Sequence, residues 1–217
     1  MPLIPLFPLN TVLFPGVQMP LLIFEERYKL MINRCLDREQ PFGVALIRSG
    51  QEVGGPAEPF DVGTTARITQ SQRQDDGRIQ LVVTGEWRFR IRETLHDEPY
   101  LTGDVDLLDD EDEESPITEV RVARVRELYT EHVLQTLALS GEWTRRAGLP
   151  RAATDLADHI AARLAIDMRS RQRPLLEALS VPRRLEMEEA MIEMLLPVLR
   201  HRAQRAPSRS NTASSAP

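Results

Sequence analysis

The 217-residue sequence predicts an α+β fold, in which a twisted, partly closed β-sheet domain with one inserted helix is followed by a small helical bundle. Three observations carry that expectation. Short β-favouring runs with period-two patterning fill the first half, one amphipathic helical stripe interrupts them early, and beyond residue 115 apolar positions recur only at helical spacing. The expected divisions are a β-rich domain over 1–114, a helical domain over 115–203 and a disordered tail over 204–217.

The stretch from 6 to 28, LFPLNTVLFPGVQMPLLIFEERY, reads as two extended runs, 12–14 and 19–24, broken at Pro15-Gly16. Proline presets the φ that a turn needs and glycine accepts a positive one, so the pair forces a tight change of direction. The inserted helix follows at once. Tyr28, Met31, Ile32, Cys35 and Leu36 fall on one face of it, with charged and polar residues on the other. Residues 42–47 form a compact apolar run and predict a buried strand, and the Gly- and Pro-rich segment 49–61 predicts a loop. Runs 65–72 and 78–84 flank Asp75-Asp76-Gly77, the composition of a hairpin turn. In the run after it, Trp87, Phe89 and Ile91 alternate with Arg88, Arg90 and Arg92, and 100–108 supplies one more strand.

In the second half, Ser115 and Pro116 open a long helix over 117–139, and 143–150 is a connection. Leu156, Ile160 and Leu164 mark a second helix. Asp167 is placed to cap a third over 168–179, which Pro174 should bend or end by removing a backbone donor. The last helix begins near Ser180 and carries Leu185, Met191, Ile192, Leu195 and Leu196.

Several of these residues resemble the opening of the Lon amino-terminal domain, the substrate-recognition domain of the ATP-dependent Lon protease. They are Pro8-Leu9, Val12-Leu13-Phe14-Pro15-Gly16, Pro20-Leu21, Ile23-Phe24-Glu25 and Arg27-Tyr28. VGTTARI at 62–68 and DGRIQLVVTG at 76–85, running on to Arg88-Phe89-Arg90-Ile91, agree with the same family in the same order. The resemblance implies a PUA-like sheet domain, a class with many RNA-binding members, and a role in recognising polypeptides in proteolysis and protein quality control. It also implies what is missing. Lon proteases add an ATPase with a GxxxxGK[ST] loop and a peptidase with a Ser-Lys dyad. Lys29 is the single lysine here and follows no glycine-rich loop, so the expectation is a free-standing, non-catalytic module without a cofactor.

Composition narrows the classes further. Residues 1–114 hold 11 Lys+Arg against 21 Asp+Glu, the remainder 16 against 12, so the sheet half is acidic where phosphate binding requires the opposite sign. One cysteine permits neither an intrachain disulfide nor a thiolate zinc cluster, and His96, His132, His159 and His201 form no metal-ligand spacing. Eight carboxylates crowd 104–114 but lack the alternation and central glycine of a calcium loop, and read as a solvated boundary. The apolar amino terminus is interrupted by prolines and has no basic start, and no run reaches bilayer length, which predicts a cytoplasmic protein.

The candidate polypeptide-binding residues are Met19, Leu21, Phe24 and Tyr28 around the opening stretch, with Tyr129 and His132 where the long helix would face the sheet. Apolar and methionine side chains repack around varied segments at little cost. Core packing is the competing explanation for each, and Glu25 and Arg27 are assigned to structural ion pairing. The expected partners are unfolded or flexible polypeptide segments, or a separate protease or chaperone reached as an adaptor. The alternative is RNA binding through Arg88, Arg90 and Arg92, against a solvated strand face as the simpler explanation; nucleic acid and membrane are otherwise not expected.

Overall fold

A computed structural model describes residues 3–140, 148–164 and 167–205. Six strands and five helices follow in the order β1 Leu3–Leu9, β2 Gln18–Ile23, α1 Glu26–Asp37, β3 Phe42–Gly50, β4 Ala57–Arg73, β5 Ile79–Leu95, β6 Thr102–Leu108, α2 Pro116–Ser140, α3 Ala153–Arg163, α4 Arg173–Glu177 and α5 Val181–Arg205. The fold is α+β, as the periodicities predict. The expected 204–217 tail lies outside the described residues from 206 onward, and the expected 143–150 connection does so through 147.

The sheet closes on itself. β1 pairs with β3 in parallel and with β6 antiparallel, while β3–β4, β4–β5 and β5–β6 complete a ring. β2 stands outside that ring, paired only with the first part of β5.

The first strand differs from the expectation. Residues 12–14 are buried but form no strand, and the strand is Leu3–Leu9 despite Pro5 and Pro8. Prolines are tolerated because each half of β1 leans on one neighbour: Leu3, Ile4 and Pro5 pair with β6, and Leu6 to Leu9 pair with β3. The segments 78–84 and 87–92, read as separate strands, are one 17-residue strand running through Gly85. That glycine is needed where backbone crosses backbone, since a Cβ there would lie 2.3 Å from the Phe14 carbonyl oxygen. Gly16 N–H donates to Gly85 O at 2.9 Å and Gly85 N–H to Val17 O at 3.0 Å, so the Pro15-Gly16 turn is riveted to the middle of β5.

Three apolar clusters fill the molecule. Phe89 and Leu6 occupy the ring interior with Ile4, Ala45 and Val105. α1 closes one end, burying Tyr28, Met31, Ile32 and Cys35 against Phe7, Phe42 and Leu81. The third cluster joins Val12, Phe14, Leu46 and Val62 of the sheet half to Val125, Tyr129, Ile160, Leu185 and Ile192 of the helices.

The helical half follows its caps. Thr118 N–H donates to Ser115 Oγ at 3.2 Å, opening α2, and Ser170 N–H donates to Asp167 Oδ1 at 2.6 Å. Pro174 does not end the helix as expected: it sits in the first turn of α4, where its missing N–H costs no helical bond. A π turn over Met168–Gln172 precedes it, and α4 then ends at Glu177. α5 continues through Pro197.

The acidic boundary is only partly solvated, a second correction. Asp104 and Asp106 belong to β6, Asp110 accepts from both Arg88 and Arg184, and Glu111 is held by backbone bonds to Leu179 and Val181 at 2.9 Å.

Candidate binding groove

β2 and the turn into α1 line a groove that carries apolar side chains from the opening stretch. Its volume is about 410 Å³. Along β2 the side chains alternate: Met19, Leu21 and Ile23 turn toward the α1 cluster, while Gln18, Pro20 and Leu22 face solvent. Phe24 stands at the strand end with 46% of its surface exposed, and Leu22 with 44%.

Tyr28 and Phe7 form the floor, their ring centroids 4.3 Å apart. The Arg27 guanidinium lies 4.5 Å over the Tyr28 ring and pairs with Glu25 at 3.0 Å, which agrees with a structural role for that ion pair. Glu25 also accepts the Gly54 N–H at 3.3 Å and Glu52 the Asn10 N–H at 3.1 Å, drawing the 51–56 loop over the groove. Burial raises the Tyr28 phenol above its ordinary value; Arg27 opposes this, and the Glu25 and Glu52 charges add to it. Tyr28 therefore stays a neutral phenol through the physiological range.

Met19, Leu21, Phe24 and Tyr28 thus line one groove. Tyr129 and His132 are elsewhere, within the cluster between sheet and helices. Tyr129 is 2% exposed, and its ring stacks on His132 at 5.7 Å with His159 edge-on at 6.1 Å. Desolvation lowers the pKa of both histidines. Residue spacing missed Phe7 and Leu9, because the strand bearing them is masked by prolines, and Glu52 and Val53, because a loop carries no periodicity. Pro20 was the available signal for an exposed strand edge.

The arginine row divides. Arg88 is 2% exposed, pairs with buried Asp158 and with Asp110, and donates to the Leu176 carbonyl at 3.1 Å. Arg92 pairs with Asp106, and Arg90 is exposed. The face read as solvated is thus an interior contact at Arg88, where helices cover the strand. Cys35 is buried, which pushes its thiol up to about 11. Among the described residues no three His, Cys, Asp or Glu side chains converge as metal ligands would, and no described helix is long and apolar enough to cross a membrane.

A closed mixed-sheet ring capped by one helix and backed by a helical bundle defines the class, a PUA-like domain with an α-helical extension. Residues 3–194 match the family model of the ATP-dependent protease La (LON) substrate-binding domain, and the chain belongs to that family. It is 28% identical to Lon protease of Anaeromyxobacter dehalogenans over 85% of this chain and 22% of the relative, and 29% identical to Lon protease 2 of Myxococcus xanthus over the same shares. The chain therefore spans between a fifth and a quarter of the length of these curated relatives. Among solved structures it resembles a Lon N-terminal domain protein from Xanthomonas campestris, with TM-score 0.65 and 27% identity over 88% of this chain and 98% of that one. The N-terminal domain of Mycobacterium avium complex Lon protease shares the fold at TM-score 0.65 and 19% identity, over the same shares.

Proposed function

We propose that the protein is a non-catalytic recognition module that binds unfolded or flexible polypeptide segments in the β2–α1 groove, in the service of proteolysis and protein quality control. The observation that carries this reading is the convergence of Met19, Leu21 and Phe24 over a Phe7–Tyr28 floor, in a groove that leaves the Phe24 ring partly exposed. Such a surface favours apolar side chains without demanding one sequence. Family membership supports the ligand class, and the cytoplasm is the compartment in which such a module would meet unfolded chains. Arg88 is committed to Asp158 and Asp110, so the groove is a better candidate than the arginine row, and Tyr129 and His132 are assigned to the core.

The test is a titration against a fluorescent, permanently unfolded polypeptide. Saturable binding at ~micromolar affinity is expected, weakened roughly tenfold by Phe24→Ser, a substitution at a half-exposed position. No saturable binding to several such polypeptides overturns the reading.

A further inference from the structure

We infer that the groove takes its ligand as an added β-strand, hydrogen-bonded to the free edge of β2, and that the preferred segment alternates apolar side chains and carries a Lys or Arg. This inference rests on the polypeptide-binding reading and specifies how the same site would work.

The lining of the groove points to an edge. A sheet face contributes alternate residues, yet Met19, Pro20, Leu21, Leu22, Ile23 and Phe24 all border this groove in unbroken succession. The hydrogen-bond phase says which backbone groups face it. Gly85 N–H donates to Val17 O at 3.0 Å, and the register continues Gln18 with Thr84 and Met19 with Val83. Antiparallel ladders bond at every second pair, so Met19, Leu21 and Ile23 face β5 while Gln18, Pro20 and Leu22 turn their backbone outward. Pro20 agrees independently. It has no N–H to give, and a strand accepts proline where that position faces away from the ladder. The outward edge consequently presents the N–H of Gln18 and Leu22 and the C=O of Gln18, Pro20 and Leu22, and among the described residues no partner reaches them.

An added strand would satisfy these groups and extend the β5–β2 sheet. Its inward side chains would lie beside Met19 and Leu21 over Phe7 and Tyr28, while the others face solvent. Charge selects further. Glu25 and Glu52 are the charged residues of the lining, and Arg27 balances Glu25. Glu52 bonds to one backbone N–H, leaving the groove a net acceptor for a cationic side chain.

The experiment uses the full chain and a seven-residue peptide with apolar residues at alternate positions and a terminal lysine, in three forms: unmodified, N-methylated on the odd amides, and N-methylated on the even amides. One methylated form should lose binding by at least about tenfold and the other keep it, because only alternate amides of a strand reach its neighbour. Which form fails reports parallel or antiparallel docking. In the complex, hydrogen exchange at the Gln18 and Leu22 amides should slow by at least about tenfold, with Met19 and Leu21 unchanged. Glu52→Gln, which keeps an acceptor for Asn10, should weaken the lysine peptide severalfold but not its norleucine counterpart. Equal behaviour of the two methylated forms, or unchanged exchange at Gln18 and Leu22, overturns strand addition while leaving polypeptide binding in place. Failure of the unmodified peptide and of unfolded polypeptides alike removes both.

Discussion

Arg88 illustrates how one side chain is decided by what folds over it. Alternation alone puts it on the face opposite Phe89, and that placement is correct; the helices then cover it and supply Asp158, Asp110 and the Leu176 carbonyl. Removing the guanidinium would strand the buried Asp158 carboxylate and leave Asp110 with Arg184 alone. Arg88→Ala should therefore cost about 3–5 kcal/mol in denaturant unfolding. Glu188 lies in the same helical interior with neither carboxyl oxygen hydrogen-bonded, and burial pushes its carboxyl well above its ordinary range, with Arg184 one turn earlier opposing the shift. The folded-state pKa is above the unfolded value, so the folded state holds the proton longer and stability falls as pH rises from the ordinary carboxylate range toward the raised one. Glu188→Gln should leave Tm unchanged at acidic pH and raise it increasingly toward neutral and alkaline pH. His132 has the opposite sign: burial lowers its pKa, so the stability it contributes is present above about pH 6.5 and is lost as pH falls through the depressed folded value. His132→Leu should flatten that acid-side loss.

At the scale of elements, the Pro15-Gly16 turn, the Asp-Gly hairpin and the caps at Ser115 and Asp167 were legible because each is written by local chemistry. Gly77 takes φ +79° in the hairpin, and Asp76 accepts the Arg78 N–H at 3.0 Å. The strand Leu3–Leu9 was not legible, because proline counts against a strand unless one knows which half of it lacks a neighbour. For the same reason two runs on either side of Gly85 read as two strands. The groove was half legible: β2 and α1 announce Met19, Leu21, Phe24 and Tyr28, while its far wall comes from a loop 27 or more positions beyond Glu25 in the chain. Gly85→Ala tests the crossing of turn and strand. With a Cβ 2.3 Å from the Phe14 carbonyl oxygen the backbone must move, and a loss of about 2 kcal/mol or more is expected in thermal or denaturant unfolding. By contrast, the ion pairs of Arg121, Arg124 and Arg200 between α2 and α5 are solvent-screened, and Arg124→Ala should cost less than about 1 kcal/mol.

Over the whole molecule, the division at residue 114 that composition suggests is a change of architecture rather than a gap in packing. One apolar cluster contains Phe14 and Val62 together with Leu156, Leu185 and Ile192, and the Arg88, Arg184, Asp110 and Asp158 charges sit across the same boundary. Sheet and helices should consequently unfold together. Helical circular dichroism and the β5 amide signals are expected to share one transition midpoint in denaturant. The helices occupy the face around Phe14 and α1 closes the end around Tyr28, while β2 stands outside the ring with one edge unpaired.

That edge beside its apolar groove is the central claim, and amide NMR of the full chain during titration with a permanently unfolded polypeptide tests it most directly. The account predicts saturable shifts concentrated at residues 18–28 and at Glu52 and Val53, with Tyr129, His132 and Arg88 unmoved. Saturable shifts gathered instead around exposed Ile117 and Val120 on α2, or no shifts at any residue, would contradict it.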